Sequence, residues 1–140
     1  MSQSFLKSVS LLLYSFHIAT YTYTLRVGLE RIGHEPVIYE NSMNDSTSTS
    51  FRKLLGPTKE ALDRTLMQSD LRDVYRGLKI AGFTPDPTKV EFHVQLSDNA
   101  NETRLKEVLR KYLIGSNYSL GGTEVYASKN LDVVSVSFFE

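Results

Sequence analysis

The hydrophobic pattern is clearest between residues 88 and 139. Val90, Phe92, Val94 and Leu96 alternate with Glu91, His93 and Gln95, the two-residue period of a strand with one buried face. Leu105, Val108, Leu109, Tyr112 and Leu113 then recur at i, i+3, i+4, i+7 and i+8. That is one stripe of an amphipathic helix, predicted over Glu102–Ile114. Gly121-Gly122 reads as a turn rather than a phosphate loop, since no Lys-Ser/Thr pair follows it. Strands are predicted at Thr123–Ala127 and Leu131–Phe139, joined by a turn at Lys129-Asn130.

Upstream, residues 8–16 read as a central strand, apolar on both faces. Ile18, Tyr21, Leu25, Leu29 and Ile32 fall at helical spacing and predict a helix over 18–33, stopped by Gly33. Pro36–Glu40 reads as a short second strand, and the polar run 41–50 as an exposed, mobile loop. A helical patch at Phe51–Leu55 is broken by Gly56-Pro57, and Thr58 caps a helix to about Met67. Asp70 caps another, with Leu71, Val74, Tyr75 and Leu78 as its stripe and Gly82 as its stop. Pro85 and Pro87 isolate the strand that begins near Thr88.

The order β-α-β, a loop and helical insert over 41–68, then β-α-β-β predicts an α+β fold. One antiparallel sheet would carry helices on one face, in a ferredoxin-like or split β-α-β arrangement. The length suits a single domain over residues 1–140. The final apolar strand, placed at a sheet edge, would invite pairing with a second copy of the chain.

Composition removes several chemistries. Sixteen basic residues balance sixteen acidic ones, so no electrostatic footprint for nucleic acid is expected. No cysteine occurs, which excludes disulfides, thiol catalysis and Cys-based zinc sites. His17, His34 and His93 are far apart and show no metal-ligand spacing, and no Ser/His/Asp set is apparent. The sequons at Asn44, Asn101 and Asn117 are those expected by chance in a chain rich in Ser, Thr and Asn. The apolar run Leu11–Phe16 is short and interrupted, so it is expected to be a buried strand rather than a secretory leader. No run approaches a membrane-spanning length, so no membrane partner is expected. The Tyr21-Thr22-Tyr23 cluster is expected to pack in or against the core rather than to stack on bases.

Two features remain as candidate chemistry. Glu91, His93 and Gln95 form a polar strand face that could look onto a cleft or a partner, and a carboxylate there can bind a cation. Tyr75 supplies a phenol that could sit over a positively charged ligand.

The run Asp73-Val74-Tyr75-Arg76-Gly77, followed by a strand opening at Glu91, resembles the phage S-adenosylmethionine (SAM) lyases, formerly called SAM hydrolases. That family has a Tyr shortly before a strand that begins with Glu, then a helix and two closing strands. The resemblance covers about residues 70–139, with 41–68 as an insertion. It implies a homotrimer with SAM bound between subunits and cleaved to 5′-methylthioadenosine and homoserine lactone. The substrate's own carboxylate attacks its γ-carbon, so neither cofactor nor metal is implied. Tyr75 and Glu91 would be the catalytic residues. Tyr75, Glu91, His93 and Gln95 would contact the substrate. An anti-restriction or host-takeover role in the host cytoplasm would follow. The alternatives that the residues also permit are a non-enzymatic oligomeric binding or inhibitor protein and a ferredoxin-like regulatory domain that releases its ligand unchanged.

Overall fold

The run Thr-Tyr-Thr-Tyr-Thr-Leu-Arg-Val at residues 20–27 is rich in β-branched and aromatic side chains, which fit a pleated surface and lose rotamer freedom in a helix. In the computed structural model, which describes residues 20–139 with side chains to residue 134, it opens strand β1, Thr20–Ile32. Tyr23, Leu25, Val27 and Leu29 face the core, each no more than 4% exposed. The helix expected over 18–33 is therefore a strand over its described part. Tyr21, Leu25, Leu29 and Ile32 happen to satisfy a helical spacing, but the period-2 alternation and the residue types decide. The strand expected over 8–16 lies outside the described residues.

The chain turns at Gly33-His34 into β2, Glu35–Pro36, which pairs only with the end of β1. The strand expected over 36–40 is thus limited to its first residue. Residues 41–50 are mostly exposed, as expected, but they carry local structure. Asn41–Asn44 is a 3₁₀ turn whose Met43 is buried. Asp45 Oδ1 accepts from the Thr47 N–H at 2.9 Å and its hydroxyl at 2.7 Å, so the polar side chains satisfy local backbone.

Helix α1, Thr49–Gln68, is continuous. Ser48 caps it, its Oγ accepting from the Phe51 N–H at 3.1 Å. Thr58, the expected cap, lies inside and is fully buried. Pro57 removes the donor that the Lys53 carbonyl would meet, yet the helix runs through it. The buried stripe Phe51, Leu54, Thr58, Ala61, Leu62, Thr65 and Leu66 keeps helical period across the proline, and its packing outweighs the lost bond.

No helix follows Asp70. Its carboxylate instead accepts from Lys111 Nζ at 3.1 Å. Residues 70–74 form turns, and strand β3, Tyr75–Thr84, makes a hairpin with β4, Lys89–Leu96, around Pro85 and Pro87. Ile80 and Phe83 of β3 are buried beneath α1. Gly77 and Gly82, poor helix residues, sit at the two irregularities in the β3–β4 register, where glycine is commonly found.

Helix α2, Glu102–Gly115, is capped by Asn101, whose side chain accepts from the Arg104 N–H at 2.8 Å. Leu105, Val108, Leu109 and Leu113 form its buried face. Tyr23 positions the loop before it. Its hydroxyl accepts from the Ala100 N–H at 2.7 Å and donates to Asn99 Oδ1 at 3.4 Å, and burial raises its pKa. The turn at Gly121-Gly122 stands. Gly121, at φ +62°, lets the chain touch α1, where a Cβ would lie 2.5 Å from the Arg64 Cβ and 2.7 Å from the Ala61 carbonyl oxygen.

Strand β5, Val125–Phe139, is a single element, not two strands joined at Lys129-Asn130. Val27 pairs with Leu131 but Leu29 pairs with Ala127, so residues 128–130 bulge against β1. Gly28 makes the room: a Cβ there would overlap the Ser128 hydroxyl.

The sheet order is β5-β1-β4-β3, antiparallel throughout, with β2 alongside the end of β1. Among the described residues the main elements therefore run β-α-β-β-α-β, the ferredoxin-like arrangement. Residues 49–68 are the first crossover helix of this fold, not an insert into it. Both helices cover one face, where Val27 and Phe92 of the sheet meet Leu62 and Leu66 of α1 and Leu109 and Leu113 of α2. No helix among the described residues is long and apolar enough to cross a membrane.

Candidate functional site on the open sheet face

The alternation that buries Val90, Phe92, Val94 and Leu96 turns Glu91, His93 and Gln95 to the opposite face of the central strand β4. Pairing with both neighbours builds three cross-strand rows. Arg26, Glu91 and Gly82 form one, Thr24, His93 and Lys79 the next, and Thr22, Gln95 and Gly77 the third.

Each row has its own chemistry. Arg26 Nε donates to Glu91 Oε1 at 2.8 Å, with the side chains 40% and 26% exposed. Thr24 Oγ1 and His93 Nδ1 share a hydrogen bond of 2.8 Å whose donor depends on the imidazole tautomer. In the third row the Thr22 hydroxyl oxygen is buried and has no partner among the described residues. A cavity of about 470 Å³ opens over the second and third rows, lined by Thr22, Gly77, Leu78, Lys79, His93 and Gln95. All six belong to strands, and both described helices lie on the other side.

Tyr75 is elsewhere. It pairs with Leu96, on the helix side of the sheet, and its phenol donates to Asp63 Oδ1 of α1 at 2.5 Å. Burial, reinforced by the hydrogen bond and charge of Asp63, raises its pKa strongly. Glu91 pairs with Gly82, five residues along β4 from Leu96, a separation of about 17 Å at strand rise. Tyr75 and Glu91 therefore sit on opposite faces and do not share a cavity within one chain. The stiff turn at Pro85 and Pro87 brings the start of β4 against the end of β3, not against Tyr75.

His34 is exposed in the turn after β1, and His17 lies outside the described residues. No group of three or more His, Asp or Glu side chains that could hold a metal occurs among the described residues. The face also holds residues that the sequence reading did not single out: Thr22, Thr24, Arg26, Gly77 and Lys79. For Thr22, Thr24 and Arg26 the signal was the alternation that begins with Tyr-Thr at 20–24, which puts every second residue on one face once read as a strand, whereas Gly77 and Lys79 reach the face through the register of β3 with β4. Neither a protein-family model nor a curated protein matches this chain.

Proposed function

We propose that the chain is a small-ligand-binding protein of ferredoxin-like fold whose site is the open sheet face around Glu91, His93 and Gln95. The observation that carries this reading is the juxtaposition, on the sheet face that neither described helix covers, of a carboxylate, an imidazole, an amide and an ammonium beside a cavity of about 470 Å³. Such a set complements a zwitterion, with Glu91 offering acceptors to an ammonium and Lys79 a charge to a carboxylate. SAM is the candidate ligand, supplied by the resemblance of residues 70–139 to the phage SAM lyases.

Cleavage to 5′-methylthioadenosine and homoserine lactone is the further step of the same reading. It needs no enzyme nucleophile, because holding the methionine moiety in an attack-ready conformer suffices. If Tyr75 takes part, it must come from a neighbouring subunit, since its own Glu91 is on the other face. That requirement agrees with a homo-oligomer, trimeric by resemblance, assembled through the edge of β5 that pairs with no strand among the described residues. A cytoplasmic anti-restriction role belongs to this proposal. The regulatory alternative uses the same face and releases SAM intact.

Calorimetric titration of the whole chain with SAM, followed by chromatography for methylthioadenosine, tests both levels. Saturable binding supports the site, and methylthioadenosine formation assigns the lyase reaction. Binding without product assigns the regulatory module. Absence of binding removes SAM as the ligand.

A further inference from the structure

The charges on the open face are not evenly used. Glu91 Oε1 accepts from Arg26 Nε at 2.8 Å in the first row. Among the described residues Lys79, one row on, has no ion-pair partner and no carboxylate lines the cavity beside it. The cavity instead collects donors: the Lys79 ammonium, the Gln95 amide and the Thr22 hydroxyl, with the His93 ring at its wall. The Thr22 oxygen is buried and has no partner among the described residues, an arrangement that costs free energy unless a further group or water completes it. Gly77 closes the third row at φ +145°, and a Cβ there would meet nothing within 4 Å. A side chain at that position would project into open space on this face, so glycine keeps the cavity clear.

We propose that this cavity is an anion subsite: it takes the carboxylate or phosphate group of the ligand bound on the sheet face, held by Lys79, Gln95 and Thr22. The inference rests on the reading of that face as the ligand site and adds which end of the ligand lies over the second and third rows. The anionic group then lies over the second and third rows, so a ligand whose ammonium end reaches Glu91 in the first row is oriented along β4 rather than across the strands.

The test follows the His93 ring proton resonances by NMR while the whole chain is titrated separately with inorganic phosphate and with acetate. Wild type, Lys79→Met and Thr22→Val are compared. Lys79 is exposed and Thr22→Val preserves shape, so both variants should fold. The expected result is a saturable shift, weakened about tenfold or more in Lys79→Met, as loss of a charge-assisted bond implies. A smaller weakening is expected in Thr22→Val. Saturation by acetate alone marks a carboxylate subsite, and by phosphate alone a phosphate subsite. No saturation with either anion, or equal shifts in wild type and Lys79→Met, overturns the proposal. SAM binding that neither anion competes with would remove the anion subsite and leave the face as the ligand site. Anion binding without SAM binding would do the reverse.

Discussion

Thr58 and Thr65 stand two turns apart on the buried stripe of α1 and are treated differently by their surroundings. The Thr65 hydroxyl donates to the Ala61 carbonyl at 2.8 Å. The Thr58 hydroxyl, in a fully buried residue, finds no partner among the described residues. Thr58→Val keeps the shape and removes the unsatisfied oxygen, so it should raise stability by about 1 kcal/mol in urea unfolding. A loss of similar size would mean that the hydroxyl has a partner. Tyr75→Phe removes the donor to Asp63 and should cost about 1 kcal/mol of stability. It should leave SAM affinity unchanged if the site lies within one chain, and weaken it if Tyr75 is contributed across a subunit boundary. Tyr23 and Tyr75 both have pKa values raised above the ordinary 10.0 in the fold, so folding favours their neutral forms. The stability they contribute is present below about pH 10 and is lost as pH rises through the higher folded values. The urea midpoint should therefore hold from pH 8 to about pH 9 and fall from about pH 10 to pH 11, and fall less in Tyr75→Phe. A midpoint unchanged over that interval would contradict the account of both phenols.

At the scale of elements, residues 90–113 were legible because their apolar positions fit one period each, whereas the turn expected at Lys129-Asn130 is a bulge within one strand. Val90–Leu96 could only be a half-buried strand, and Leu105–Leu113 only a helix face. Leu109, 5% exposed, is core, and Leu109→Ala should cost about 2–5 kcal/mol. A cost below about 0.5 kcal/mol would place it on the surface and break that register. The first half misled for identifiable reasons. Over 20–32 the same apolar residues satisfy both periods, and only the β-branched and aromatic types separate them. Gly56-Pro57 signals a break in any local reading, while the buried stripe that carries α1 through it is a tertiary fact. Over 70–82 the turn after α1 hides where one period ends and the next begins. The β5 bulge depends on Gly28, a residue of another strand about 100 positions away in the chain. Gly121→Ala should destabilise by about 2 kcal/mol or more, since it combines a left-handed backbone with overlap against α1. An unchanged unfolding midpoint would mean that the turn can leave the helix without loss.

For the whole molecule, the ferredoxin-like arrangement was reached although several element assignments behind it changed. The helix expected at 18–33 became the central strand β1, and the apparent insert became the first crossover. The fold class survived because the C-terminal β-α-β fixes half of the sheet and all of its sidedness. The polar face was legible in part. Glu91, His93 and Gln95 follow from alternation on β4, whereas Arg26, Thr24 and Lys79 join them only through cross-strand register, which the sequence does not print. The trimer proposal belongs to this scale too. Sedimentation at micromolar concentration should find no dominant 15.9 kDa species, and finding only that species would remove any site shared between subunits.

The central claim is the place of the ligand, and an amide chemical-shift map of the whole chain titrated with SAM tests it most directly. The account predicts saturable shifts concentrated at Thr24, Arg26, Lys79, Glu91, His93 and Gln95. Glu91→Gln should weaken that binding by about 1.5–3 kcal/mol through loss of a charged acceptor. It should change folding stability by less than about 1 kcal/mol, because the Arg26–Glu91 pair is partly exposed. Shifts centred instead between the helices, or the absence of any saturable shift, would contradict the account.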